Sequence, residues 1–295
     1  TLSHEHILVD FIGADQVKPN RYNPDEVFNR VLPYLQQLKQ RGCQTLIECT
    51  PAYLGRDPAL LKRLSQASGL TILTNTGYYG AVNGKYLPAH AFTETAAQLA
   101  DRWIQEWEQG IGGTGIRPGF MKISVDAGPL SEVNQKLVTA AALTHQQTGL
   151  TIASHTGNGE AALAEIKILR EMGVAANAFI WVHAQNEKNN LLHRQAAQSG
   201  AWISLDGVAP NNLAEYVQLL TAMKRAGLLK KVLISQDAGW YHVGEPKGGI
   251  FNSYETIFTE LLPALKQAGF SKKEIRQLIE INPQQAFGIQ VRNLK

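Results

Sequence analysis

The sequence predicts a single (β/α)₈ TIM barrel across residues 1–295. Three observations carry this prediction. Short apolar runs alternate with longer amphipathic runs from end to end, no linker-like stretch separates them, and the length slightly exceeds the usual size of one barrel, about 250 residues. An open, doubly wound sheet is the alternative, and eight strand–helix units without a GxGxxG-type turn disfavour it.

The predicted strands are short runs rich in β-branched or aromatic residues, most of them with turn residues at their flanks. They cover residues 6–10, 45–50, 71–76, 119–124, 150–155, 179–183, 202–206 and 232–236. The predicted helices cover residues 24–40, 58–67, 93–109, 132–148, 160–172, 190–198, 213–226 and 250–268. Eight such units give a parallel sheet with right-handed crossovers, and a last short helix within residues 272–287 is expected to close the barrel wall.

Composition excludes several classes of partner. The net charge of +3 comes from scattered residues without a long basic run, so neither nucleic acid nor an anionic membrane is an expected partner. No apolar stretch approaches 18 residues, so no membrane span is expected. Cys43 and Cys49 would lie too far apart along an extended strand for a disulfide, which is limited to roughly 7 Å between Cα atoms, and both are predicted to be reduced thiols.

The sequence leaves the cellular compartment open. No basic segment followed by an apolar core stands at the beginning, which favours the cytoplasm over the periplasm. However, Thr1 opens almost directly on a motif, so the native start of the chain is not fixed by this sequence.

Polar residues with metal-binding chemistry occur on five of the predicted strands. Active-site residues of a barrel come from the carboxyl ends of several strands, so these side chains are expected to meet. The set comprises His4, His6, Lys122, His155, His183 and Asp237. A single histidine is more often a hydrogen-bonded core residue and Asp237 alone could cap a helix, but their joint placement predicts a two-metal centre.

The chemistry of this set is coherent. Side chains alternate along a strand, so His4 and His6 share a face and can chelate one ion, while Glu5 points outward and is expected to be structural. Four neutral imidazoles and one carboxylate suit Zn²⁺ best, with Mn²⁺, Co²⁺ and Fe²⁺ as alternatives. Glu48 could point either way and is left out of the predicted site.

Lys122 is the unusual member, because a buried ammonium is costly unless it is paired or deprotonated. A neutral amine that captures carbon dioxide becomes a carbamate, which has one negative charge and two oxygens and can bridge two metal ions. The sequence therefore predicts N6-carboxylated Lys122 as the bridging ligand. The alternative is an ammonium that extends to the barrel rim.

These motifs make the chain resemble the phosphotriesterase family of the amidohydrolase superfamily over nearly its whole length. The resemblance is carried by Ser-His-Glu-His at 3–6, Leu-Gly-Arg-Asp at 54–57, Thr-Gly-Tyr-Tyr at 76–79, Gly-Ile-Gly-Gly-Thr-Gly-Ile at 110–116, Gly-Phe-Met-Lys at 119–122, by His155, His183 and Asp237, and by Asn-Pro at 282–283.

The resemblance implies an amidohydrolase-type barrel and a division of the ligands. His4, His6 and Asp237 would bind the more buried metal, His155 and His183 the more exposed one, and carboxylated Lys122 would bridge them. A metal-bridging hydroxide would be the nucleophile, and Asp237 would accept its proton. A homodimer is also implied.

Three positions depart from the phosphotriesterase pattern. Tyr79 stands where that enzyme has tryptophan, and lactonases of the family resemble this chain there; the tyrosine is expected to hydrogen-bond the substrate or its developing oxyanion. Asn186 and Gly207 replace an aspartate and a histidine of a proton relay. A lactone or carboxylic ester is therefore the expected small-molecule substrate. The alternatives are organophosphate triesters, an amide or deamination substrate, and a binding protein without turnover.

The loop at residues 238–253 is expected to form much of the substrate pocket, through Trp240, Tyr241, His242 and Lys247. Lys247 or His242 could bind an acidic group of the substrate, or these residues could simply pack a long loop. Arg56 and Asp57 are expected to form a structural ion pair or a loop anchor.

Overall fold

The computed structural model describes residues 1–18 and 20–294 as parallel strands surrounded by helices, an α/β barrel of the TIM type. The strands are β1 Leu2–Val9, β2 Thr45–Glu48, β3 Thr71–Leu73, β4 Asn75–Thr76, β5 Phe120–Val125, β6 Ile152–Thr156, β7 Phe179–Val182, β8 Trp202–Leu205, β9 Val232–Ile234 and β10 Gly239–His242. They pair in the orders β10-β1-β2-β3 and β4-β5-β6-β7-β8-β9. The predicted fold class is confirmed.

The helices are α1 Pro24–Gln40, α2 Pro58–Ser68, α3 Ala89–Thr93, α4 Ala96–Gln109, α5 Glu132–Thr148, α6 Gly159–Glu171, α7 Asn190–Ser199, α8 Leu213–Arg225, α9 Leu262–Gln267, α10 Lys272–Arg276 and α11 Asn282–Phe287. Helices α1 to α8 lie in the sequence intervals between strands, and α9 to α11 follow β10. The π-helical segments Ile257–Leu261 and Gln277–Ile281 lead into α9 and α11. None of the helices in the described ranges is long and apolar enough to cross a membrane.

Several predicted bounds differ from the structure: β1 begins at Leu2 instead of residue 6, α4 begins at Ala96 instead of residue 93, and two elements differ more. The predicted strand 71–76 is divided at Thr74 into β3 and β4, and the side chain of Asn75 donates to the carbonyl oxygens of Glu48 and Thr50 at 3.0 Å. The predicted helix 250–268 begins later, because Asn252 forms two backbone hydrogen bonds with Gly239 that keep this segment extended.

Side chains help to join β1 to the segment that follows β9. The Glu5 carboxylate lies between β1 and the end of β9, where it accepts from Ser235 Oγ at 2.7 Å and from the backbone N–H groups of Gln236 at 3.0 Å and Ala238 at 2.7 Å. The N–H of Asp237 donates to the carbonyl of His4 at 3.2 Å. Glu5 is therefore buried and structural. The contacts between β1 and residues 235–238, called the seam below, bring Asp237 beside β1.

The barrel interior has an apolar base. Phe120 and Lys122 share one face of β5, because side chains alternate along a strand. Phe120 packs against Phe287 of α11, with ring centroids 5.4 Å apart, within a small apolar cluster that also includes residues of β2, β6, β7, β8 and β9. Lys122 lies above this cluster, at the end of the barrel where the strands finish.

Candidate metal centre

The six predicted metal ligands line one cavity of about 180 Å³ at the carboxyl ends of the strands. His4, His6 and Lys122 are almost fully buried, and the Asp237 side chain is 26% exposed toward the opening. Strand register explains the convergence, because β1, β5, β6, β7 and β9 each end at this face.

Asp237 faces the two histidines of β1. Its Oδ1 atom lies 3.1 Å from His6 Nε2 and 3.4 Å from His4 Nε2, and the two Nε2 atoms are 3.2 Å apart. His183 lies within the same group, since it offers a ligand atom within 4.8 Å of those of His4 and Asp237. Oδ1 of Asp237 is buried without a hydrogen-bond partner among the described residues, which fits a carboxylate oxygen directed at a cation.

The Nδ1 atoms of the histidines are turned away from this group toward other polar atoms. His6 Nδ1 lies 2.8 Å from Thr50 Oγ1, and His183 Nδ1 lies 2.7 Å from Asp206 Oδ1. Such partners fix the ring orientation and leave Nε2 free as the ligating nitrogen. The donor set and its surroundings therefore fit divalent transition-metal ions.

The electrostatics favour neutral His6 and His155 near an ionised carboxylate. Burial lowers the pKa of His6 to about 4 and that of His155 well below its usual value. Burial alone would raise the pKa of Asp237, but the close approach of His6 and the nearby His4 outweigh it and lower that pKa. Neutral imidazoles are the form that binds metal.

Lys122 is 2% exposed and lies at the floor of the cavity. Its Nζ atom is 5.6 Å from the centre of the Tyr79 ring. Burial lowers the pKa of Lys122, which favours the uncharged amine relative to a solvated lysine.

Tyr79 lines the same cavity. Its hydroxyl lies 3.1 Å from Nδ1 and 3.2 Å from Nε2 of His155, and an isolated β-bridge to Ser124 holds its backbone beside β5. Burial raises the pKa of Tyr79, so the hydroxyl keeps its proton and can donate a hydrogen bond.

Aromatic side chains form the mouth of the cavity. The Trp240 ring lies 4.1 Å from that of His6, and its Nε1 donates to the carbonyl of Asp237 at 2.5 Å. Phe11 stacks on Trp240 with ring centroids 5.7 Å apart, and His242 lies 6.1 Å from the Trp240 ring and 5.8 Å from the Phe11 ring. Trp240 is therefore a lining residue, whereas His242 lies at the outer rim.

Tyr241 and Lys247 lie elsewhere, contrary to the expectation from the sequence. Both line a separate cavity of about 600 Å³, and the Tyr241 hydroxyl donates to Glu26 at 2.9 Å. The reason is strand geometry: β10 pairs with β1, so Trp240 and His242 face one side and Tyr241 faces the other.

Sequence reasoning missed two supporting residues, Asp206 and Thr50. Asp206 is fully buried next to His183, and Thr50 is fully buried next to His6. The signal for Asp206 was available, because it ends the predicted strand 202–206 as the ligands end theirs. Thr50 shows no such signal, since hydroxyl residues occur at many strand ends.

Comparisons with known proteins agree with this geometry. The model of the phosphotriesterase family matches residues 1–287. A phosphotriesterase homology protein of Escherichia coli is 29% identical over 97% of both chains, and an aryldialkylphosphatase of Saccharolobus solfataricus is 26% identical over 97% of this chain and 94% of its own. A solved structure from the engineering of organophosphate hydrolysis from a weak promiscuous lactonase template superposes with a TM-score of 0.86 at 25% identity, over 97% of this chain and 94% of that one.

The family match covers almost all of the chain, and its relatives include named hydrolases. The barrel, the joint placement of the six polar side chains and these matches lead to one conclusion: the chain belongs to the phosphotriesterase family of hydrolases.

Proposed function

We propose that this chain is a two-metal hydrolase of lactones or carboxylic esters. One observation carries the choice of substrate: the protonated Tyr79 hydroxyl lies inside the cavity, 3.1 Å from a proposed metal ligand, His155. A hydroxyl at this place can donate to the oxygen on which negative charge develops when an ester carbonyl is attacked.

The proposed ligands divide into two groups. His4, His6 and Asp237 would hold one divalent ion, and His155 and His183 would hold the other. Zn²⁺ suits these donors best, and Mn²⁺, Co²⁺ or Fe²⁺ could replace it. When bound, the two ions would lower the pKa of a water molecule toward neutrality and polarise the ester carbonyl.

Lys122 would bridge the two ions as a carbamate. A buried ammonium beside two cations would be strongly unfavourable, whereas attack of the neutral Nζ on carbon dioxide forms an N–C bond, releases a proton and leaves one negative charge on two oxygens. Asp237 would accept the proton that the attacking water loses, because His6 and His4 favour the ionised form of its carboxyl group.

The size and lining of the cavity support a small, uncharged substrate. Its volume of about 180 Å³ lies below the roughly 300–1,000 Å³ of pockets for drug-sized ligands. Phe11, Tyr86 and Trp240 supply apolar surface at the mouth, while Lys247 lines a different cavity. A planar lactone ring fits these walls better than a tetrahedral phosphorus with three ester groups.

The residues behind His183 also disfavour phosphotriesters. Asp206 is followed by Gly207, and position 186 is asparagine, so the histidine and aspartate of a phosphotriesterase-type relay are replaced. The names of two relatives still include organophosphate or aryldialkylphosphate chemistry, so a phosphotriester belongs in the same assay.

The test is a parallel measurement of kcat/KM after reconstitution with Zn²⁺, Mn²⁺ or Co²⁺ and bicarbonate. Substrates are γ- and δ-lactones, aryl carboxylic esters and a phosphotriester. We expect lactones to exceed the phosphotriester by several orders of magnitude, and Lys122→Ala to lose both the activity and the bridged metal pair. Lys247→Ala is the matched control, because it removes a lysine that does not line the metal cavity, and it should keep full activity.

Other outcomes have distinct meanings. A phosphotriester that is cleaved faster than any lactone would overturn the role given to Tyr79 and to the altered relay. Two bound metals without turnover of any substrate would identify a binding protein on the same barrel.

A further inference from the structure

One carboxylate, that of Asp206, faces two of the proposed ligands at once. It stands directly after β8 and is fully buried. Its Oδ1 lies 2.7 Å from Nδ1 of His183, and its Oδ2 lies 3.4 Å from Nδ1 of His4. Oδ2 also accepts the backbone N–H of His183 at 3.1 Å.

His4 directs its Nδ1 atom toward Asp206. Its Nδ1 atom is buried without a hydrogen bond among the described residues, so Asp206 is the acceptor that faces it. A neutral imidazole has one N–H, and a carboxylate opposite Nδ1 keeps the proton there and leaves the Nε2 lone pair for a metal. The same carboxylate therefore sets the tautomer of both rings.

The orientation of Asp206 is itself fixed. The amide of Gln185 donates to Oδ1 at 3.1 Å, and its oxygen accepts the N–H of Asp206 at 3.1 Å. His183 has a left-handed backbone conformation, with φ of 62°, which a non-glycine residue rarely adopts unless its surroundings hold it. Asp206 and Gln185 supply such surroundings.

We propose that Asp206 is a positioning residue that couples the two metal sites. The inference rests on the proposed function, in which His4 and His183 bind different ions. One carboxylate orients a ligand of each ion and raises the basicity of both, so a change at Asp206 acts on both sites together.

Thr50 provides the internal contrast. Its Oγ1 lies 2.8 Å from Nδ1 of His6, and it is the partner of that one imidazole. His6 belongs to the same proposed site as His4. Loss of the Thr50 hydroxyl should therefore weaken one site, whereas loss of the Asp206 charge should weaken two.

The experiment compares Asp206→Asn with the nearly isosteric Thr50→Val. The two stepwise dissociation constants for Zn²⁺ are measured by competition with a chromophoric chelator, and the tautomers of His4 and His183 are read from nitrogen NMR of the metal-free proteins. We expect Asp206→Asn to weaken both constants by about 10- to 100-fold and to change both tautomers. Thr50→Val should weaken one constant and leave both of these tautomers unchanged.

Gln185→Leu provides a second test if Asp206→Asn does not fold, because it keeps the carboxylate and removes only the amide that orients it. Both constants should then weaken by similar, smaller factors. Weakening of a single constant, or a tautomer change at His183 alone, would overturn the coupling. The tautomers are measured without metal or substrate, so this readout does not depend on turnover. If the unmodified protein hydrolysed none of the substrates and Asp206→Asn still changed both tautomers, the proposed hydrolysis would be refuted. The dual role of Asp206 would remain supported.

Discussion

The hydroxyl of Tyr79 is 3.1 Å from Nδ1 and 3.2 Å from Nε2 of His155, so it stands over the imidazole ring rather than beside one nitrogen. Its neighbour Tyr78 points away from the cavity, and its hydroxyl lies 3.0 Å from His90 Nε2. Two adjacent tyrosines thus have separate environments and can be tested against each other.

Tyr79→Phe removes the proposed oxyanion donor. We expect kcat for lactones to fall by about 100- to 1,000-fold, the usual effect of losing one such donor, with both metals retained. Tyr78→Phe should leave kcat unchanged. Steady-state kinetics together with metal analysis check the pair, and equal losses in both variants would point to a structural effect instead.

Gly239 illustrates how tightly β10 approaches β1. Its φ is +96°, and a Cβ atom there would overlap the carbonyl oxygen of His6 and the hydroxyl of Tyr254. We expect Gly239→Ala to destabilise the protein by more than about 3 kcal/mol, measured by urea unfolding. Gly244→Ala is the matched control: φ is +93°, but no atom lies within 4 Å of the new Cβ, so only the cost of the backbone conformation, about 1 kcal/mol, should appear.

The buried surroundings of Glu165 predict that the free energy of unfolding depends on pH. Glu165 is buried on α6, and its carboxyl oxygens lie 2.5 Å from Ser154 Oγ and 2.7 Å from Thr156 Oγ1, while Thr156 Oγ1 also lies 3.0 Å from the Ser154 carbonyl. Three oxygen–oxygen contacts share two hydroxyl hydrogens, and a protonated carboxyl supplies the third. In agreement, burial raises the pKa of Glu165 from 4.5 to about 8.

Between pH 4.5 and 8 the folded protein therefore holds a proton on Glu165 that the unfolded chain has lost. The contribution of this group to the free energy of unfolding is largest below pH 4.5 and falls as the pH rises, by at most about 1.4 kcal/mol per unit, until the folded pKa is reached. Glu165→Gln should remove this slope, whereas Glu160→Gln, at an exposed position of the same helix, should keep it. Chemical unfolding at several pH values between 4.5 and 8 measures the slope of the free energy of unfolding against pH. An unchanged slope in Glu165→Gln would show that the Glu165 carboxyl is already ionised in the folded protein.

The ion pair between Arg56 and Glu106 supports the chain near Tyr79. Two nitrogens of Arg56 contact the Glu106 carboxylate at 2.6 and 2.8 Å, and one of them donates to the Asn75 carbonyl at 2.7 Å. We expect Arg56→Met to lower the free energy of unfolding by about 1–3 kcal/mol, because it removes a donor from the buried Asn75 carbonyl and the partner of the partly exposed Glu106 carboxylate. Arg63→Met breaks an exposed pair with Asp25 and should cost about 0.5 kcal/mol or less. Similar values for both would mean that burial of Arg56 does not matter.

Much of the fold and the convergence of the candidate metal ligands could be predicted from sequence because both depend on periodic patterns. The bounds of α1 and α5 agree with prediction to the residue, since Asn23 and Ser131 cap their first turns and end the competing extended chain. The convergence of His4, Lys122 and Asp237 follows from strand order alone.

The remaining features depend on contacts between distant parts of the chain. Tyr241 faces away from the metal cavity because β10 adds to the edge of β1, and no local pattern in residues 239–242 announces that pairing. The division of the third strand likewise depends on the Asn75 side chain reaching the carbonyl oxygens of Glu48 and Thr50. Asp206 could be placed at a strand end, but its simultaneous approach to His4 and His183 required the closed barrel.

The seam between β1 and residues 235–238 has a consequence for how the molecule holds together. His4 and His6 belong to the first strand and Asp237 follows the last barrel strand, so an ion held by these three would join opposite ends of the sequence. Such an ion would be a reversible cross-link, and the loop that it closes would contain most of the chain. Such closure removes entropy from the unfolded ensemble in proportion to the logarithm of loop length. Removing the metal with a chelator would then lower the stability of the fold as well as the activity, because it would remove a cross-link between the beginning and the end of the barrel.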